Sequence, residues 1–268
     1  MARPFVTVVV CSIDAEKYER CTARYRALLG HADLELFGIH DARSLASAYN
    51  WAARRAHGAL IAFSHDDVEA LSPDFASALE RAAAALDVIG VAGTSRVVDG
   101  YWPRAGHPHL HGWLVKPGPG DGFTVNVYGV DGAITHGLQG LDGMFIAAKP
   151  EVLAQVGFDE ATFDGFHGYD LDFTFRANRA GFRVGTSAEL AMIHASSGGY
   201  DASWTTYNAR FVAKHGELLA TPTGARSWGI GVFKVPTRED VLTAFPLAQL
   251  QKITASVRAV STRAAATR

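Results

Sequence analysis

Ala59-Leu60-Ile61-Ala62-Phe63-Ser64-His65-Asp66-Asp67 is an apolar run closed by polar and acidic residues. Five apolar residues in a row suit a strand buried on both faces, as in the middle of a parallel sheet. The run stops at a hydroxyl, an imidazole and two adjacent carboxylates, which would lie at the carboxyl end of that strand. In an open α/β sheet this edge is where ligands bind. Carboxylates without a basic neighbour call for a cation, and the usual one is Mg2+ or Mn2+ bridging to phosphate oxygens. The plainer reading is that Asp66 and Asp67 cap the next helix.

Outward from this stretch the chain alternates strand and helix patterns. Phe5 to Ser12 is a Val-rich run interrupted only by Thr7. Ala15 to Leu29 is helical in pattern and stops at Gly30. Leu34 to Ile39 reads as a second strand, and Ser44 to Ala56 as a helix with Ser44 as its cap. After the strand Ala59 to Phe63 comes an Ala-rich helix, Pro73 to Leu86, with Ser72 as cap and Pro73 at its first position. Val88 to Gly93 is the fourth strand. Four such units imply a mostly parallel sheet with right-handed crossovers.

The alternation breaks at Thr94. Up to about Gly140 the chain is rich in Gly, Pro, His and aromatic residues and reads as loops and short strands, with Gly122 to Tyr128 a hairpin strand. Gly143 to Ala148 resumes a strand. Pro150 to Val156, Asp170 to Ala180 and Ser203 to His215 read as helices, and Phe182 to Thr186 as a strand. The tail from Thr237 is polar and Ala-rich, and from Gln251 it carries Lys252, Arg258, Arg263 and Arg268 without an acid.

Composition narrows the function classes. The chain has 268 residues, 48% of them hydrophobic, so a substantial core is available. With Lys+Arg 25 and Asp+Glu 27 the formal net charge is −2, which offers no basic field for nucleic acid. The two cysteines, Cys11 and Cys21, are too few for a disulfide framework and fit a reducing compartment. Met1-Ala2-Arg3-Pro4 runs into a strand-like segment rather than a signal peptide, and no segment approaches the ~20 apolar residues of a membrane span. The expectation is a cytoplasmic protein.

Three acidic or imidazole sites fall in order along the chain. The first is Asp66-Asp67. The second is Gly168-Tyr169-Asp170-Leu171-Asp172. The third is His194, which ends the apolar run Leu190-Ala191-Met192-Ile193. A carboxylate and a neutral imidazole together can hold a divalent cation with positions left for phosphate and water. A carboxylate on another loop can then act as general base toward a hydroxyl. Nucleotide-sugar chemistry needs this division of labour.

This ordered set resembles GT-A glycosyltransferases of family 2 type, from about Val8 to His215. The segments that carry the resemblance are Ser44-Leu45-Ala46-Ser47-Ala48-Tyr49-Asn50 with the quoted strand, Leu141-Asp142-Gly143-Met144-Phe145-Ile146-Ala147, Phe158-Asp159-Glu160 through Asp172, and His194. The resemblance implies a Rossmann-like, mostly parallel central sheet flanked by helices, with acceptor-side loops and a C-terminal helical tail. It implies a GT-A domain over 1–235, its nucleotide half about 1–93 and its acceptor half about 94–215, followed by the tail 236–268. It implies transfer of a sugar with inversion from a nucleoside-diphosphate sugar, UDP by family habit, to a glycan or glycoconjugate hydroxyl.

By the same resemblance Asp170 is the general base, and Asp67 and His194 hold Mn2+ or Mg2+. Ser12, Asp14, Asn50, His65, Asp66 and Asp67 fall on the donor side, with Asp66 facing ribose or sugar hydroxyls. Asp142, His167, Tyr169 and Trp102 fall on the acceptor or sugar side. Two positions depart from the family pattern: His65 stands where an acid often begins the D-x-D motif, and Tyr169 where Glu is frequent. A non-catalytic nucleotide- or sugar-binding relative is therefore the alternative. A nucleotidyltransferase is disfavoured because Ser12-Ile13-Asp14-Ala15-Glu16 is acidic and has no Gly for a triphosphate loop.

Other features have readings without catalysis. Asp172 and Arg176, four apart on a helix, form an i,i+4 ion pair. His107, His109 and His111 would share one face of a strand as a zinc site, but Pro103 and Pro108 favour a loop. The basic tail end could rest on an anionic membrane at its inner face, or pack as a solvated helix.

Overall fold

The computed structural model describes residues 5–30, 33–196, 199, 201–222 and 230–266. The N-terminal part builds the expected alternation: β1 (Val6–Cys11), α1 (Ala15–Leu29), β2 (Leu34–Ile39), α2 (Leu45–Ala53), β3 (Leu60–His65), β4 (Val68–Ala70), α3 (Phe75–Ala85), β5 (Val88–Gly90) and β6 (Ala92–Thr94). Further on come β7 (Leu110–Pro117), β8 (Phe123–Gly129), β9 (Ile134–His136), β10 (Gly140–Leu141), β11 (Phe145–Ala148), α4 (Pro150–Gln155), α5 (Tyr169–Arg179), β12 (Val184–Ser187), β13 (Met192–His194), α6 (Ala202–His215), β14 (Gly231–Val235), α7 (Arg238–Ala244) and α8 (Leu247–Ala266).

The main sheet has the order β2-β1-β3-β11-β5-β12-β9. Strands β2, β1 and β3 are parallel, as are β5 and β12. Between the two sets β11 runs antiparallel to both neighbours, and β9 is an antiparallel edge. The fully apolar runs predicted this burial: Val6, Val8, Val9 and Val10 and all of Leu60 to Phe63 are at most 1% exposed.

A second sheet, β10-β6-β7-β13-β4, is extended by the β7–β8 hairpin and by β14. Helices α7 and α8 close it, with Val241, Phe245, Leu250 and Ile253 buried against Trp113, Val125 and Val127. Arg258 of α8 forms an ion pair with Asp131, while the side chains of Arg263 and Arg268 lie outside the described residues. No described helix is long and apolar enough to cross a membrane.

Several local readings are corrected. Asp66 and Asp67 do not cap a helix, because the chain turns straight into β4, and α3 begins only at Phe75 after Asp74. Ser72 is no cap either: its Oγ donates to the Glu189 carbonyl and accepts from the Ala191 N–H, tying the chain to the approach of β13. The run Val88 to Gly93 splits at Val91, giving β5 to one sheet and β6 to the other. Two buried three-residue strands in tandem have the same apolar pattern as one longer strand, so periodicity could not separate them.

An ionic cluster joins α5 to α6. Asp172 is fully buried and accepts from Arg176 Nε at 2.8 Å, Lys214 Nζ at 2.6 Å and His215 Nε2 at 2.8 Å. Arg176 also donates to the Val156 and Gly157 carbonyls, which fixes the loop before α5. Burial works to raise the Asp172 pKa, but His215, Arg176 and Lys214 together hold it below the usual carboxylate value. A depressed pKa contributes stability that is present above the unfolded value and lost as pH falls. Asp172→Ala is expected to lower unfolding free energy by about 3 kcal/mol at neutral pH, because three donors lose their acceptor. Denaturant melts at pH 7 and at about pH 2.5 check this, because the difference should persist down to about pH 4 and shrink only below it.

Candidate active site

The two sheets bring the scattered polar residues to one edge. The carboxyl end of β3 delivers His65, Asp66 and Asp67. Strand β11 runs antiparallel beside it, with the His65 N–H bonded to the Met144 carbonyl at 3.0 Å, so the preceding turn Asp142–Gly143 arrives at the same edge. Strand β13 pairs antiparallel with β4, placing His194 opposite Val68 and bonding the Ala195 N–H to the Asp67 carbonyl. Helix α5 starts there too, at Gly168 with φ +77°. A Cβ on Gly168 would stand 2.8 Å from the Phe163 ring, so only glycine makes this entry.

One atom each of His65, Asp67 and His194 can be chosen so that all lie within 4.8 Å of one another. The His194 Nε2 is 3.4 Å from Asp67 Oδ1 and 3.4 Å from His65 Nδ1. It is also 3.1 Å from the Ser196 hydroxyl. Burial acts to raise the Asp67 pKa, but the His194 hydrogen bond and the nearby imidazoles hold it well below the carboxylate range. Burial and His194 push the His65 pKa down. An ionised carboxylate and a neutral imidazole are the forms that ligate a metal. Among the described residues this is the one such cluster. His107, His109 and His111 do not form another, and His109 and His111 instead approach the Ser95 hydroxyl at 3.5 and 3.1 Å.

Two cavities meet at this cluster. One, of ≈320 Å³, is lined by Ser12, Ile13, Tyr49, Asp66 and Asp67 among others. The other, of ≈250 Å³, is lined by Trp102, Asp142, His167, Tyr169, Asp170 and His194 among others. His65 and Phe166 line both. Phe166 is 53% exposed, a large apolar side chain at the junction of the two.

On the first side, Ser12 Oγ lies 2.6 Å from Asp66 Oδ2 and orients that carboxylate. Asp14, expected on this side, is not part of the cavity lining and instead caps α1, accepting from the Glu16 and Lys17 N–H groups. Asn50 does not line this cavity. Its amide donates to the Phe158 carbonyl at 2.8 Å and accepts from the Phe158 N–H at 2.9 Å, so it anchors the loop before α5.

On the second side, Asp170 is half-buried in the cavity wall. Burial, then the charge of Asp142, raise its pKa to about 7. A carboxyl tuned to this range suits a general base at neutral pH. Asp142 is itself fixed by the Trp102 indole N–H at 3.0 Å and the Met144 N–H at 3.0 Å. Trp102 is buried, its ring packed against Tyr128, and it lines the cavity. Gly143 makes room for the base: a Cβ there would come within 2.6 Å of Asp170 Oδ2 and 2.8 Å of its Cβ. Gly143→Ala is expected to displace that carboxyl and lower kcat by about 10–100-fold, with nucleotide affinity kept. Steady-state kinetics beside nucleotide titration check it. Neither His65 as a third member of the cluster nor Gly143 was among the residues singled out from sequence. A glycine directly after an acid, at the mouth of a strand, was the only signal for the second.

A profile of the family described as "Glycosyltransferase like family" matches residues 7–215. Among solved structures, the mannosyltransferase PcManGT from Pyrobaculum calidifontis, in complex with GDP-Man and Mn2+, aligns with a TM-score of 0.50 at 16% sequence identity, over 98% of this chain and 76% of that chain. TarS 1–349 from S. aureus aligns at TM-score 0.44 and 12% identity, over 80% of this chain and 72% of that chain. At these identities the likeness concerns the fold. No curated protein gives a significant match.

Proposed function

The chain belongs to the glycosyltransferase-like family and is an enzyme of the transferase class with a GT-A fold, and from that premise we propose an inverting, metal-assisted transfer from a nucleoside-diphosphate sugar to an acceptor hydroxyl. UDP is the first nucleotide expected. The observation that carries the reading is the cluster His65, Asp67 and His194 with Asp170 across the adjoining cavity, its pKa raised to about 7.

The reading divides the edge into two halves. The donor lies in the cavity of Ser12, Asp66 and Asp67, and the acceptor enters between Trp102, Asp142 and His167. Asp170 takes the proton of the acceptor hydroxyl, whose oxygen bonds to the anomeric carbon as the carbon–oxygen bond to the diphosphate breaks. The electron pair leaves with the diphosphate. Attack opposite the leaving group inverts the anomeric centre. A divalent cation fits the ionised Asp67 beside His194, and it would neutralise charge on the departing diphosphate when bound. PcManGT, solved with GDP-Man and Mn2+, makes GDP the second nucleotide to try.

The test is incubation with UDP- and GDP-sugars and Mn2+, with release of the nucleoside diphosphate as the readout. Metal-dependent release from one donor supports the reading. Nucleotide binding without turnover of any donor would favour a binding module instead. Peripheral membrane contact through residues 251–268 belongs to the same reading, and it is tested by liposome sedimentation after removing charge at Lys252, Arg263 and Arg268. Truncation is unsuitable there, because Ile253 and Thr254 are buried.

A further inference from the structure

The two positions at which the chain departs from the family pattern touch each other. His65 and Tyr169 are 104 residues apart, and His65 Nε2 lies 2.9 Å from the Tyr169 hydroxyl. Tyr169 is 3% exposed and wedged edge-on against Tyr49, at 5.6 Å between ring centroids, so its hydroxyl is a fixed point. A partner on one ring nitrogen of a histidine decides what the other can do. With Nε2–H donating to the phenol oxygen, Nδ1 keeps its lone pair and faces His194 Nε2 at 3.4 Å.

That separation is long for a hydrogen bond between two nitrogens. It is suitable for two atoms sharing one cation. With metal–ligand bonds of about 2.1 Å, two ligands stand about 3.0 Å apart at a right angle and about 3.4 Å at a tetrahedral one. The His194–Asp67 separation of 3.4 Å meets the same condition.

We infer that His65 is a third protein ligand of the divalent cation, oriented by Tyr169, and that this two-imidazole, one-carboxylate set selects Mn2+ or a later first-row metal over Mg2+. Mg2+ is a hard cation that keeps oxygen ligands and water, whereas imidazole nitrogen suits transition metals. The imidazole and the phenol act as one unit through the 2.9 Å contact between them. Tyr169 is a positioning residue that acts through His65. The inference rests on the proposed function for the use made of the cation, so its test employs the metal alone.

Mn2+ and Mg2+ are titrated separately into the purified full chain without nucleotide, and electron spin echo spectra of the Mn2+ form count coordinated imidazole nitrogens. Mn2+ is expected to bind at least about 10-fold more tightly than Mg2+, with two nitrogens coupled. His65→Gln should leave one nitrogen, and Tyr169→Phe should weaken Mn2+ about 10–100-fold, as loss of a partner behind a metal-bound histidine does. His65→Asp should narrow the Mn2+ to Mg2+ ratio. One coupled nitrogen in the wild type, or equal affinity for the two metals, would overturn the inference. Should His65→Gln fail to fold, Tyr169→Phe decides, since it deletes one oxygen from a packed ring; unchanged Mn2+ affinity there overturns the role of Tyr169. Two coupled nitrogens without turnover of any nucleotide sugar would count against the proposed function and leave this inference standing.

Discussion

Asp170→Asn is expected to lower kcat by about 10³-fold while UDP affinity in the presence of Mn2+ changes little. The amide keeps the shape of the carboxyl and cannot take a proton. Burial and Asp142 bring the Asp170 pKa to about 7, so the wild-type pH profile of kcat/KM should rise through pH 7 as the base form appears. An unperturbed carboxylate would place that limb near pH 4. Asp142→Asn removes the like charge and should move the limb about one pH unit downward. A limb that stays near pH 7 in Asp142→Asn and persists in Asp170→Asn would assign it to another group. The same shift has a stability consequence. A raised folded pKa contributes stability below the unfolded value that is lost as pH rises through the folded one. With metal removed by a chelator, Asp170→Asn should melt above the wild type at pH 8, by roughly 3–6 °C, and show less gain at pH 5. A lower melting point at pH 8 would show that the carboxylate is not held under strain.

The second large effect is expected at Asp67. In the wild type, UDP titrated with Mn2+ should bind at least about 10-fold more tightly than with a chelator, because a cation held by Asp67 and His194 would offset the charge of the diphosphate. In Asp67→Ala the two titrations should coincide, and turnover should fall about 10³-fold or more. Asp67 is the one carboxylate of the cluster, it is held ionised, and its backbone carbonyl accepts from the N–H of Ala195 beside His194. Its loss leaves two imidazoles and no anionic ligand, which weakens the hold on a divalent cation. A Mn2+ response that survives in Asp67→Ala would move the metal elsewhere and take the donor site with it. Should UDP bind under neither condition, GDP is titrated the same way, and failure of both would overturn the donor cavity.

Most of the element order was legible because burial on both faces leaves a plain signature. Val6 to Val10 and Leu60 to Phe63 read as central strands and are, and Ser44 and Gly30 mark the helix ends they were expected to mark, whereas Asp14, expected on the donor side, turns out to cap α1. The errors fell where local signals are degenerate. Ser72 has the chemistry of a cap, yet its hydroxyl binds backbone of a segment more than a hundred residues away. Asn50 stands in a segment that resembles the donor side, yet Phe158 takes both ends of its amide.

That carboxylates and an imidazole sit at the ends of buried strands was readable in the order of residues, because apolar runs fix those strands and the residues after them must fall at the sheet edge. How those ends combine depends on long-range strand pairing. Strand β13 returns antiparallel beside β4 and brings His194 to Asp67, and β11 inserts between β3 and β5 and brings Asp142 and Gly143 to Asp170. These pairings are long-range and carry no local pattern. The contact between His65 and Tyr169 and the near-neutral pKa of Asp170 follow from them, since both depend on which groups the packed chain holds within a few ångströms and shields from water.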